Sequence, residues 1–290
     1  MRRISLALFF LPMVAWAQPT TKALLWKIDG PGGGSASYVV GTVHSRDARA
    51  YTQVPQLLLI MQDLDAVAGE LDLVENMSGA MGALKVMMMP PGTELADLLP
   101  KRKVERVNKA VRDKLGPMAP MMARVKPFFL MAMLSETEMR TDSAMVLDQY
   151  LQVKAQEMGK DVLGVETMEE QLRAVDDLPL KDQAEMLYES VRKGFDRKVI
   201  ERMMEAYAAQ DLDKLAAYVN GSGMSQKVGD RLLTERNGVM ATRMDSLMRE
   251  GRTFLFALGA GHLPGRDGVL AQLRAMGYAV VPVEAAALRP

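Results

Sequence analysis

Hydrophobic and polar residues follow two rhythms along this chain of 290 residues. Near the N-terminus, "KALLWKIDG" and "ASYVVGT" are short apolar runs on either side of "PGGGS", and they predict two strands of a β-hairpin. The glycine-rich stretch is followed by neither Gly-Lys-Ser/Thr nor a helix start, so it reads as a turn and not as a phosphate loop. Beyond the polar "SRDARAYTQ", the spacing in "VPQLLLIMQDLD" predicts a helix, and "AVAGEL" a short buried strand. The C-terminal end repeats this order. "RTFLFALGAGH" predicts a strand, "LPGRDG" a loop, "VLAQLRAMG" a helix closed by Gly277, and "YAVVPVE" a strand. Both passages read strand, Gly-x-x-His, loop containing Arg-Asp, helix, strand, which is an internal pseudo-repeat.

The helical rhythm dominates between these ends. Residues 93–160 predict several helices interrupted by "MPPG", Pro117, Pro120 and Pro127. "MVLDQYLQVKAQEMGK" carries Leu147, Tyr150, Leu151, Ala155 and Met158 at helical spacing, with Gly159 as its stop. "DVLGVE" predicts a strand, and Thr167 to Glu170 has the pattern of a capping box. One long amphipathic helix is predicted from Lys181 to Gln210, with Leu187, Val191, Phe195, Val199 and Met203 on one face. "DLDKLAAYV" predicts a shorter helix and residues 224–250 another. The predicted fold is α/β: a central β-sheet built from the two pseudo-repeated halves, carrying a large helical insert or lid, methionine-rich over about residues 77–145.

The first residues form a separate unit. "MRRISLALFFLPMVAWA" has a basic start, an apolar stretch and a small-x-small ending, the pattern of a signal peptide cleaved after Ala17. One domain over residues 18–290 is then expected in the periplasm or secreted, without a membrane anchor. With no cysteine, neither a disulfide nor a lipidated thiol is available. Without Arg2 and Arg3 the chain has 34 basic and 36 acidic residues, which offers no attraction for nucleic acid. The 25 methionines, crowded between Met77 and Met145, form no regular Met-x-x-Met array and read as a deformable apolar lid or groove.

The candidate chemistry starts from the two histidines. His44 and His262 are the chain's only ones, and each follows Gly-x-x at the end of an apolar strand. Ligands of α/β sheets bind beyond the carboxyl ends of strands, so the two rings are expected to share a site. Two imidazoles with an oxygen donor suit a divalent metal such as Zn²⁺, Mn²⁺ or Co²⁺. Glu70 and Glu166 each close a run that otherwise reads as buried strand, where a carboxylate needs a partner. Asp47, Asp72 and Asp267 are secondary candidates. Arg236 and Asn237 lie on the apolar face marked by Leu233, Met240, Met244 and Leu247, and a guanidinium there needs a carboxylate, from the protein or from a substrate.

Together these residues resemble the TraB/GumN family, whose animal relatives include the Tiki proteases. The resemblance rests on "GTVH" at 41–44, Glu70, "LDQYLQVKAQEMGKDVLGVETMEEQ" at 147–171, "ERN" at 235–237 and "GAGHLPGRDGVLAQLRAMGY" at 259–278. It implies a fold similar to erythromycin esterase and ChaN-like haem-binding proteins. It also implies metal-dependent hydrolysis of a peptide or protein substrate, using His44, His262, Glu70 and Arg236, with Glu166 in support. A haem or metal carrier without turnover and a metal-free esterase-like hydrolase are the alternatives. A hydrolase should turn over its substrate; a carrier should bind its ligand stoichiometrically.

Overall fold

The computed structural model describes residues 22–73, 86–194, 197–220 and 229–283. The predicted signal peptide, residues 77–85 of the methionine-rich insert, Phe195, residues 224–228 and the last seven residues lie outside them.

Among the described residues six strands form one mixed sheet. In chain order they are β1 Leu25–Asp29, β2 Ser37–Thr42, β3 Ala66–Gly69, β4 Asp161–Gly164, β5 Phe254–Gly259 and β6 Ala279–Pro282. The spatial order is β4-β3-β5-β2-β1-β6. The first four are mutually parallel, whereas β1 pairs antiparallel with both β2 and β6. The central strands are buried except at Tyr38 and Gly259, as their apolar runs require: Leu255, Phe256 and Leu258 of β5 and Val39 and Val40 of β2 are sealed from solvent. β2 leads to β3 on one side of β5, and β5 leads to β6 beyond β1 on the other. The chain thus leaves two neighbouring strands in opposite directions, the place where open α/β sheets form ligand crevices.

Eleven α-helices complete the described residues. They are α1 Val54–Gln62, α2 Leu95–Leu98, α3 Lys101–Leu115, α4 Pro127–Glu136, α5 Leu147–Glu157, α6 Met168–Asp176, α7 Leu180–Lys193, α8 Arg197–Ala208, α9 Leu212–Asn220, α10 Glu235–Arg249 and α11 Val269–Ala275. The Thr167 capping box is formed: Thr167 accepts from the Glu170 amide, and the Glu170 carboxylate accepts from the Thr167 amide.

One predicted helix is two. The stripe from Leu187 to Met203 is interrupted after α7, where Gly194 adopts φ +85°. The two halves serve different cores. Ala184, Leu187 and Val191 of α7 pack with Leu95, Val107, Val111, Leu130 and Leu134 of the insert. Met204, Ala206 and Tyr207 of α8 pack against the sheet. A straight helix cannot present one stripe to both, and a left-handed glycine is the low-cost place to turn.

The insert therefore has its own core. Beside it lies a cavity of about 550 Å³ lined by Met89, Leu95, Val111, Met122 and Leu130, among others. The segment leaving the insert docks on the loop after β2: the Ser143 amide donates to the Arg46 carbonyl at 2.9 Å, and Arg46 pairs with Glu136 at 3.5 Å.

Two strand-end glycines are required by close approach. A Cβ on Gly69 would lie 2.2 Å from Gln152 Nε2, and one on Gly164 would lie 2.8 Å from the Glu166 carbonyl oxygen. Gly69→Ala is accordingly expected to lower the melting temperature by several degrees, because Gln152 must give up its bonds to Leu71 and Leu73. Gly32→Ala, which meets no atom within 4 Å, should leave melting within about a degree of wild type; thermal denaturation of the three proteins checks both.

Candidate active site at the carboxyl edge of the sheet

Four parallel strands deliver the candidate residues to one edge. β3 and β4 end opposite each other, with Gly69 beside Gly164, and β2 and β5 end with Thr42 beside Gly259. Pairing continues one step past the first couple. The Val165 amide donates to the Gly69 carbonyl at 2.9 Å and the Glu166 amide to the Glu70 carbonyl at 2.8 Å. Two carboxylates are thereby forced side by side, a costly arrangement without a cation.

Arg236 supplies it. The residue sits in the first turn of α10, just after a π-helical turn, Asp230–Thr234, of the kind that often marks functional positions. Nε lies 2.9 Å from Glu166 Oε1, and Nη2 lies 2.6 Å from Glu166 Oε2 and 2.9 Å from Glu70 Oε2. Nη1 donates to the Leu232 carbonyl at 3.1 Å. Gln171 Nε2 donates to both carboxylates, at 3.1 and 3.2 Å. Glu166 is buried, with its side chain 2% exposed, and Glu70 and Arg236 are mostly covered. Burial opposes the charge on Arg236, but Glu166 and Glu70 outweigh it and raise its pKa.

His262 closes one side. Its buried ring places Nε2 3.6 Å from Glu70 Oε1, and the same oxygen accepts the Gly259 amide at 2.7 Å. On the ring's other side, Nδ1 meets Asn237 Oδ1 at 2.7 Å. Burial pushes the His262 pKa below its ordinary value, with Glu70 opposing, so the neutral ring is favoured.

His44 occupies the neighbouring loop. Its side chain is 70% exposed, and Nδ1 lies 3.6 Å from Asp148 Oδ2. The Asp148 carboxylate beside the ring is the main cause of its raised pKa; Glu70 contributes through its charge. Thr42 donates to Asp148 Oδ1 at 2.5 Å, and Tyr207 holds the end of β2 by donating to the Gly41 carbonyl at 2.9 Å. Asp47 is committed to Arg49, and the Asp267 side chain turns to Arg266. Asp72 follows β3 closely in sequence. Gln152, Gln171, Asp148 and the second role of Asn237 were not singled out by sequence reasoning; only Asn237 carried a signal, its place on an apolar helix face.

Fit to a divalent cation rests on donor chemistry. Two carboxylates against one guanidinium leave one negative charge, beside a neutral imidazole. Donors at metal–ligand distances of about 2.0–2.2 Å in a tetrahedral set stand roughly 3.4 Å apart, close to the spacing between His262 Nε2 and Glu70 Oε1. Among the described residues no three histidine, aspartate or glutamate side chains gather closely enough to hold an ion, since His44 faces Asp148. The spacing of His262 and Glu70 alone fits two donors of such a set.

The model of the TraB/PrgY/gumN family matches residues 24–282, and the chain belongs to that family. It is similar to Metalloprotease TIKI2 of Danio rerio, at 25% identity over 91% of this chain and 61% of the relative. It is also similar to Metalloprotease TIKI1 of Danio rerio, at 27% over 91% and 63%, and to Metalloprotease TIKI2 of Xenopus tropicalis, at 27% over 84% and 57%. The chain thus spans about 60% of the length of these relatives. No solved structure matches it. No described helix is long and apolar enough to cross a membrane.

Removing Arg236 leaves two adjacent carboxylates uncompensated. Arg236→Met is expected to cost about 3–5 kcal/mol in urea denaturation, and combining it with Glu166→Gln should recover part of the loss. A second test concerns Glu170, which Arg243 holds down to about 2. A depressed carboxylate contributes stability that is present above its unfolded pKa of 4.5 and lost as pH falls toward 2. Arg243→Met should therefore flatten the fall in melting temperature between pH 4.5 and 2.

Proposed function

We propose that this chain is a metal-dependent, peptidase-type hydrolase acting on peptide or protein substrates after export from the cytoplasm. One observation supports the reading above others: Nε2 of a buried histidine faces Glu70 Oε1 at 3.6 Å, in a cluster with one negative charge to spare. The names of the TIKI relatives favour the same chemistry, and a pseudo-repeat that brings Gly-x-x-His to two neighbouring strands would explain the placement of both rings.

In this reading His262, Glu70 and His44 hold a divalent cation, with zinc, manganese and cobalt as the candidates. When bound, such an ion supplies acidity to a water and polarises a carbonyl. Glu70 contributes Oε1 as the oxygen ligand, and the proton lost by the attacking water passes to the leaving amine. Arg236 holds Glu70 in place, and its positive charge favours the oxyanion that develops on the substrate. Glu166 holds Arg236 and does not touch substrate. The methionine-rich insert, whose outgoing segment lies on the His44 loop, acts as an adaptable lid over the substrate chain.

The purified chain, assayed on a peptide library with added Zn²⁺, Mn²⁺ or Co²⁺, is expected to cleave peptides and to stop when the ion is chelated. Glu70→Gln and His262→Ala should each lower kcat at least about 100-fold, with the fold intact by circular dichroism. Cleavage that survives chelation would instead favour the metal-free, esterase-like hydrolase. Stoichiometric haem uptake with a Soret band and no cleavage would favour a carrier.

A further inference from the structure

Both histidines meet a side-chain oxygen at the same ring atom. For His262 the partner is Asn237 Oδ1, at 2.7 Å from Nδ1. The orientation of the Asn237 amide is fixed by its other contact, in which Nδ2 donates to the Asp267 carbonyl at 2.9 Å. A carbonyl has no proton to give, so the amide nitrogen faces Asp267 and the amide oxygen is left for the ring. That oxygen is acceptor-only. Nδ1 therefore carries the proton, and Nε2 of the neutral ring holds a lone pair directed at Glu70. This is the opposite of the form that prevails for an unconstrained histidine in water.

His44 has a looser counterpart, a carboxylate just beyond hydrogen-bond distance of the same ring atom. Asp148 is anchored through Oδ1 by Thr42, while Oδ2 is buried without a hydrogen-bond partner and lies 3.6 Å from His44 Nδ1. A buried acceptor with no donor is unfavourable, and the nearby ring N–H is the group placed to satisfy it. Neither Asp148 nor Asn237 is near its histidine in sequence. The carboxylate comes from the first turn of α5, and the amide from the first turn of α10.

We infer that Asn237 and Asp148 are paired positioning residues that lock His262 and His44 with the proton on Nδ1 and leave both Nε2 atoms free to act. The use made of those atoms rests on the hydrolase reading; the proton positions do not. Partners of this kind orient an imidazole and raise its basicity, and their loss typically costs about 10–100-fold in metal affinity or activity.

Long-range ¹H–¹⁵N correlation spectra of the full, metal-free chain test the inference directly, since only two imidazoles contribute. His44→Gln assigns the two ring systems. At a pH where both rings are neutral, His262 is expected in the Nδ1–H form. Asn237→Asp, which keeps an acceptor oxygen, should retain that form, and Asn237→Leu should release the ring to the Nε2–H form. Asp148→Ala should do the same to His44 and leave His262 unchanged. Zn²⁺ titrated into Asn237→Leu should bind about 10–100-fold more weakly than into wild type. An Nε2–H His262 in the wild-type protein, or an Asn237→Leu spectrum identical to it, overturns the inference. If the proton positions are as stated and no peptide is cleaved, the positioning stands and the hydrolase reading alone fails. If peptides are cleaved by a protein whose His262 is Nε2–H, the reverse holds.

Discussion

One guanidinium between two carboxylates sets the terms for everything at the carboxyl edge of this sheet. Parallel pairing of β3 with β4, extended one residue past the strands, leaves Glu70 and Glu166 adjacent. Their repulsion would splay the strand ends. Arg236 converts it into attraction, with a paired contact to Glu166 and a single contact to Glu70. The fork geometry of arginine makes this possible; a lysine ammonium presents no such planar pair of donors. In doing so Arg236 ties α10 to β3 and β4, and through its neighbour Asn237 it brings His262 into the same cluster.

The division between the two carboxylates follows from their contacts. Glu166 is enclosed and spent on Arg236 and Gln171. Glu70 shares the same cation through Oε2 and turns Oε1 toward Gly259 and His262. Such asymmetry suits a pair in which one group is structural support and the other meets a reactant. Gly69 and Gly164 serve the same end from below, because the backbone and Gln152 approach them too closely for any side chain.

Much of this was legible in the sequence because chain-local signals carried it. A charged residue closing an apolar run marked Glu70 and Glu166, the Gly-x-x-His pattern marked the rings, and a polar pair on an apolar helix face marked Arg236 and Asn237. The α/β class and most element positions followed from the two hydrophobic rhythms. What was not legible depends on partners far away in the chain. Asp148 looks like an ordinary acid in the first turn of a helix, yet it is held by Thr42, more than a hundred positions earlier. Gln152 and Gln171 look like solvent-facing amides, yet they bond Leu71 and Leu73, and Glu70, respectively. The turn at Gly194 was missed for a related reason: the apolar stripe continues across it, and only the existence of two separate cores shows why the helix must break.

The central claim is that His262 and Glu70 form the donor edge of a cation site in a cluster organised by Arg236. Anomalous diffraction from crystals of the full chain equilibrated with Zn²⁺ tests it most directly. The account predicts one strong peak within about 2.0–2.3 Å of both His262 Nε2 and Glu70 Oε1, absent in His262→Ala. A peak bound elsewhere, with the Glu70–Arg236–Glu166 cluster undisturbed and the space beside His262 filled only by water, would contradict it.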